Sequence, residues 1–477
     1  MNRRDFLITS AAASSLSLAK FDITRVNAAS HSVADAFGTA AAVVEEEMAR
    51  LKIPGVALGV FKDGVFTHRG FGVTNIENPQ PIDENTIFSL ASISKTVTAT
   101  AVMSLVQQGK LNLDSPVRTW LPNWSAGGED SSRAMLLRHL VTHSTGLNGP
   151  VPVQDVGVET LTRFAESMQK LNSLAPPGAV WSYLNAGFAL AGRIVEVAAA
   201  TDIHRAFRQL VFTPLGLVQA STRLDQIATR RLAVGHQPGA NGAPTVIRTF
   251  TMGSTTPSGG VAMGIAELMR FAAFHLNDGP AKEAPVITPQ NRAVMRQPQV
   301  VKAPTDDWMG IGWHLRKVGG VMTATHGGTA VAGHRLLLEL VPERRLAFAV
   351  LTNHTDGWRL NQKVEKALLK AYENLELTPN QHIAYRGINE DLSAHTTPLS
   401  TQPKASEYIG NYLGDTNPIV VGVANGRIVV GVNALNFYAP DLAFSAQDGT
   451  PVEFIRNDAG IVTWIRVGGQ GFARKAG

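Results

Sequence analysis

The sequence predicts an α/β fold of the α+β kind: an antiparallel sheet flanked by helices, with a helical subdomain, followed by a small all-β domain. Three observations carry this expectation. Segments alternating apolar residues at strand period stand near residue 55 and again near residue 340, with mostly helical periodicity between them. Short alternating runs separated by turn signals then fill the tail.

The chain opens MNRRDFLITSAAASSLSLAK, in which Arg3 and Arg4 precede a weakly apolar stretch rich in alanine and serine, the layout of a twin-arginine export signal. Val26-Asn27-Ala28 offers a small-residue cleavage site, so residues 1–28 are expected to direct a periplasmic or secreted location. No segment has the length and apolar character of a permanent membrane span. From Ile53 to Val73 apolar residues alternate around Lys62-Asp63-Gly64, the pattern of a hairpin. Thr96 to Gln108 is apolar or small and stops at Gly109, which reads as a buried helix; Asn185–Ala200 and Ala266–Leu276 also read as helices. Residues 310–328 turn at Gly319-Gly320 and residues 334–353 at Pro342-Glu343, giving about five strands drawn from both ends of one domain. Leu360, Val364, Leu368, Tyr372 and Leu375 share one helical face that should close it against the sheet. The expected large domain is 31–380, a Thr- and Pro-rich linker follows at 381–404, and residues 405–477 form the β module.

At 477 residues and 44% apolar composition the chain can bury more than one core. Charged residues make up 17%, the net charge is +5, and the basic residues are neither clustered nor interleaved with aromatics, which argues against a nucleic-acid partner. There is no cysteine, so disulfides, thiolate nucleophiles and thiolate metal sites are excluded together.

Ser92-Ile93-Ser94-Lys95 places a serine and a lysine three apart, on one face of a helical start inside an apolar run. A lysine of lowered pKa can take the proton of a serine hydroxyl; alone, the tetrapeptide reads as a helix cap with a snorkelling lysine. Tyr183-Leu184-Asn185 stands between a Pro-Pro-Gly turn and a helix. A tyrosine beside a lysine ammonium has its phenolate stabilised and can serve as base and then acid, while an asparagine amide can hold lysine and substrate carbonyl. By itself that triplet is a packed tyrosine with a capping asparagine. His326-Gly327-Gly328-Thr329 ends a strand; its glycines would let a substrate lie against the backbone, and the amides of Thr329 and Ser92 would face an oxyanion. The structural alternative is a glycine-rich bulge at a sheet edge.

In that order and spacing, the three motifs resemble the serine hydrolase family of class C β-lactamases, D,D-peptidases and related esterases. The resemblance extends through "GKLNLDSPVRTWLP", "LLRHLVTHSTGL", "SGGVAMGIAELMRF", "GIGW" and "LLLELVPERRLAFAVLTN", and covers roughly residues 35–375. It implies a class C β-lactamase-like fold, with Ser92 acylated, Lys95 and Tyr183 sharing base and acid work, and Asn185, His326, Gly328 and Thr329 around the substrate and oxyanion. No cofactor or metal is implied. Ser94 becomes a spacer. His326 stands where the β-lactamases carry the lysine of Lys-Thr-Gly, and Gly327 where they carry threonine, so the usual anchors for a β-lactam carboxylate are missing. The tail resembles the small lipocalin-like domains appended to some members, which approach the cleft; packing or oligomer contact are the alternatives.

His139 and His143, four apart, have metal-ligand spacing without a third ligand, which favours a structural role. His334 and Arg335 are expected at a solvated strand end rather than at the cleft border. The function these readings converge on is hydrolysis of an ester or amide bond in a small molecule or peptide through an acyl-serine. β-Lactam cleavage remains a variant of it. The alternative is a penicillin-binding or cell-wall-sensing protein that is acylated without efficient turnover.

Overall fold

Strands from both ends of the chain meet in one antiparallel sheet. The computed structural model describes residues 23–148, 159–248, 254–279, 286–303, 307–377, 398–413, 418–447, 450–456, 459–467 and 470–475. β1 (Gly55–Lys62) and β2 (Val65–Gly72) form the first hairpin. Asp63 and Gly64, with φ of 48° and 87°, give its two-residue turn the left-handed backbone that matches strand twist. Six later strands complete the sheet: β3 (Val300–Ala303), β4 (Asp307–Met309), β5 (His314–Val318), β6 (Val321–Thr329), β7 (Arg335–Val341) and β8 (Leu346–Thr352). Their order is β2-β1-β8-β7-β6-β5-β4-β3, with Val56 opposite Thr352 and Lys62 opposite Leu346.

The sheet therefore has eight strands where the sequence suggests about five. β3 and β4 escape the alternation test because Lys302 and Asp307 interrupt it. Both side chains are buried and lie 3.2 Å apart, so each charge is compensated inside the fold.

Both faces of the sheet are covered, which is why β8 reads as the continuous apolar run LAFAVLT. Val56, Leu58, Val60, Phe348 and Val350 pack on one side with α1 (Ile23–Leu51) and α5 (Gly357–Glu373). Phe37, Ala40, Ala41 and Val44 supply the buried stripe of α1, a helix that the sequence patterns above do not assign. On the other side, Ala57, Phe61, Ala347, Ala349 and Leu351 join the core of α2 (Ser94–Gln107), α3 (Asn185–Ala199) and α4 (Ile265–His275). Arg316 of β5 ties α5 to the sheet. Its guanidinium meets Glu339 of β7 at 3.0 Å and Glu365 of α5 at 2.5 Å, all three buried.

The tail closes into an eight-stranded antiparallel barrel, β9–β16, from Gly410–Leu413 through Val462–Val467 (β15) to Gln470–Arg474 (β16). Tyr408, Tyr412, Phe437, Phe454 and Ile465 fill its interior, and the Tyr412 hydroxyl donates to the Tyr408 carbonyl at 2.7 Å. The barrel rests on the large domain beside residues 181–182. Arg466 of β15 stacks on Trp181 at 4.8 Å, is paired with Glu453 at 2.5 Å and donates to the Lys302 carbonyl. The Gly471 amide donates to Ser182 Oγ at 3.1 Å.

The expected export stretch to residue 22 lies outside the described residues, and Val26-Asn27-Ala28 falls near the start of α1. Residues 378–397, most of the expected linker, are also outside them. Among the described residues no helix is long and apolar enough to cross a membrane.

Candidate active site

A one-turn 3-10 helix, Ala91–Ile93, leads into α2 and carries Ser92 at its centre. Ala91 takes φ 47°, a left-handed conformation that disfavours a residue with a Cβ. Gly328 lets β6 come up against this turn, since a Cβ there would stand 2.5 Å from the Leu90 carbonyl oxygen. α2 is apolar or small on every side and threads the domain centre, so Lys95 is fully buried. Ser94 serves the frame, its hydroxyl accepting the Val261 amide at 2.9 Å.

Lys95 Nζ lies 2.7 Å from Asn185 Oδ1, 2.7 Å from the Ser258 carbonyl oxygen and 3.2 Å from Ser92 Oγ. Burial pushes its pKa well below the ordinary lysine value, which favours the neutral amine. Such an amine has two N–H bonds and one lone pair. In that form the two carbonyl oxygens would take the N–H bonds and Ser92 would face the lone pair, whereas the ammonium donates to all three.

The Tyr183 hydroxyl donates to Ser92 Oγ at 2.8 Å. Withdrawal from water pushes the phenol pKa upward, outweighing the opposite effect of the Ser92 hydrogen bond. This direction opposes the phenolate expected from a lysine ammonium. The phenol is thus held in its protonated form, placed to donate to Ser92.

The four residues Ser92, Lys95, Tyr183 and Asn185 thus come together from α2, the turn and loop that precede α2 and α3, and the first residue of α3. His326 and Gly328 lie on β6, with Thr329 at its exposed end. His326 Nδ1 meets the Gly327 carbonyl at 2.8 Å. Burial and then Lys95 push this imidazole down to about 3, so it is neutral at ordinary pH.

Three further groups belong to the site, and the sequence patterns do not single them out for it. The imidazole of His143 is stacked on the phenol of Tyr183, and its Nδ1 accepts the Leu184 amide at 3.0 Å. His314 of β5 approaches the other rings, 6.4 Å from Tyr183 and 4.9 Å from His326 between centroids. Ser258 contributes only its backbone oxygen, which no side-chain pattern reveals. His139 acts elsewhere, where its Nδ1 accepts the Leu136 amide at 3.1 Å and caps a short helix. Among the described residues no three His, Asp or Glu side chains are grouped to hold a metal ion.

The strand-end expectation fails for His334. The ring is buried, with Nε2 3.1 Å from the Ala233 carbonyl and Phe88 at 5.7 Å, because the turn after β6 folds under residue 233. Arg335 is half-buried and donates to the carbonyls of Ala330 and His334, clamping the same turn.

The sequence pattern of the Beta-lactamase family matches residues 40–372. Penicillin-binding protein 4 of Amycolatopsis lactamdurans is 33% identical over 311 residues, covering 63% of this chain and 81% of the relative. Esterase EstB of Burkholderia gladioli is 33% identical over 193 residues, 37% of this chain and 49% of the esterase. Among solved structures, SurE with D-Leu aligns with a TM-score of 0.75 at 23% identity, over 93% of this chain and all (100%) of that one. A class C β-lactamase from Rhodobacter sphaeroides aligns at 0.59 and 21% identity, over 70% of this chain and 98% of its own. The last two likenesses establish the fold, a class C β-lactamase-like domain carrying a small all-β domain.

Proposed function

The chain belongs to the Beta-lactamase family, and from that premise we propose that it is a serine hydrolase that opens an ester or amide bond of a small molecule or peptide through an acyl-serine on Ser92. The observation that carries this reading is the pair of contacts on Ser92 Oγ, the Lys95 amine on one side and the Tyr183 hydroxyl on the other. Lys95 removes the serine proton as Oγ bonds to the substrate carbonyl carbon. The amides of Ser92 and Thr329 receive the oxyanion, and the fixed dipoles lower the barrier because they need not reorganise. When the carbonyl–heteroatom bond breaks, the proton held on Lys95 reaches the departing alcohol or amine by way of Tyr183. Water then enters in place of the leaving group, and the same groups run the proton in reverse to release the acid and regenerate Ser92.

Neutral His326 and Gly327 supply neither a cation nor a hydroxyl for a substrate carboxylate, which supports esters and amides over β-lactams. The export signal read in the first residues supports a periplasmic or secreted place of action. The test is a purified Ser92→Ala protein assayed on a nitrophenyl ester, a D-alanyl nitroanilide and a chromogenic cephalosporin, with fluorophosphonate labelling in parallel. Loss of turnover and of labelling is expected, with the ester or anilide preferred by the native chain. Undiminished turnover in Ser92→Ala would overturn the proposal.

A further inference from the structure

A cavity of about 430 Å³ shares no lining residue with the Ser92 site. Its floor is apolar, built from Leu161, Ile203 and Phe212, all buried. Three arginines, Arg205, Arg208 and Arg223, line it together with the carboxylates of Glu196 and Asp202. Arg205 is 3.4 Å from Asp202 and Arg223 is 2.6 Å from Asp225. Arg208 meets no carboxylate among the described residues; its guanidinium reaches Gln226 Oε1 at 3.5 Å. A π-helical turn, Arg208–Phe212, places a lining cation and a floor ring in the same cavity. Such turns are rare and occur frequently at functional sites.

The walls of this cavity are the elements that hold Lys95. Glu196 lines it from α3, whose first residue, Asn185, accepts one Lys95 N–H bond. Thr256 lines it from the turn Thr256–Gly259, whose Ser258 carbonyl accepts the other. Pro257 locks the two together against Gly192, where a Cβ would stand 2.2 Å from the proline ring. A ligand wedged between α3 and this turn therefore acts on both acceptors of the catalytic amine.

We propose that the cavity is an effector site for a small amphipathic carboxylate, its apolar tail on the Leu161–Phe212 floor and its head on Arg208, and that occupancy changes turnover at Ser92. The coupling rests on the serine-hydrolase reading, whereas the binding does not.

Octanoate is the probe, titrated calorimetrically into the full chain, into Arg208→Glu, and into protein phosphonylated on Ser92 to block the cleft. The expected result is one saturable site, retained after phosphonylation and weakened about tenfold or more in Arg208→Glu, where a like charge faces the head group. At saturation kcat on a nitrophenyl ester is expected to change in the native chain and to stop responding in Arg208→Glu. Binding that disappears on phosphonylation, survives Arg208→Glu unchanged, or saturates with no change in kcat overturns the proposal. Failure of Ser92 to label would count against the hydrolase reading alone, since the Arg208→Glu titration still decides whether the cavity binds.

Discussion

The imidazole of His143 lies on the phenol ring of Tyr183 with centroids 4.2 Å apart and planes inclined by 28°, while its Nδ1 holds the amide of the next residue, Leu184. His143 itself adopts φ 54°, a conformation asparagine shares readily. On the proposed mechanism it is a positioning residue, packed on the Tyr183 ring and holding the following amide. His143→Ala is expected to lower kcat by about 10- to 100-fold with little change in KM, the scale of a reacting group displaced by about 1 Å. His143→Asn, which keeps an acceptor for Leu184 and tolerates the backbone, should recover part of that loss. A purely structural histidine would cost stability in His143→Ala while leaving the rate of the folded protein unchanged in both variants, which circular dichroism melts and steady-state rates check together.

The pH profile follows from Lys95. On the proposed mechanism its reactive form is the unprotonated amine, so activity is expected to fall on the acid side as pH drops through the lysine pKa. Burial moves that pKa well below the ordinary 10.5. The acid limb of kcat/KM should therefore lie far below pH 10.5, and a limb at or above that value would refute a neutral lysine. Tyr183 moves upward, so its deprotonation should not impose an alkaline limb in the neutral range.

Gly328→Ala tests the contact between β6 and the nucleophile turn. The added methyl would meet the Leu90 carbonyl at 2.5 Å and Leu336 Cδ1 at 2.7 Å, and backbone cannot yield as a side-chain end can. Chemical denaturation should show a loss of about 1–3 kcal/mol, the usual cost of overpacking. Because the displaced strand carries Thr329 and His326, kcat should fall as well, on the order of tenfold or more for weakened oxyanion contacts.

Glu339 supplies a stability test remote from the chemistry. Burial raises its carboxyl pKa above the ordinary 4.5; the Arg316 cation opposes the shift and Glu365 adds to it. A carboxyl with a raised folded pKa binds protons more tightly in the native state, so its contribution is complete below about pH 4.5 and is lost as pH rises through the folded value. Glu339→Gln should flatten that decline in thermal melts taken from about pH 4 to 8. Arg316→Met, which strands two buried carboxylates, should cost about 3–5 kcal/mol.

The reactive centre is legible in sequence because its chemistry is written in short motifs. Ser92 and Lys95 are three apart on one helix start, and Asn185 both begins α3 and follows Tyr183 by two. His143 is visible only as half of a possible metal pair, because its partner Tyr183 lies forty residues downstream. β3 and β4 are hidden by the Lys302–Asp307 pair, whose charges look solvated in sequence and are compensated in the interior. The apolar stripe of α1 is masked by a signal-like leader of similar composition. In the tail, the Asn425-Gly426 turn and its neighbours mark the strands, whereas closure into a barrel depends on the pairing of β9 with β16, which no local pattern encodes.

The pairing of β1 with β8 joins residues about 300 positions apart, Val56 with Thr352. During synthesis the first hairpin is made long before the strand that flanks it, so one edge of β1 waits unpaired with Val56, Leu58 and Val60 uncovered. Non-local closure of this kind is slow and exposed to aggregation. The sheet that brings β6 against the nucleophile turn is therefore assembled late, and a nascent chain stopped before residue 346 holds the serine, lysine and tyrosine of the site without the strand that joins the first hairpin to the rest of the sheet.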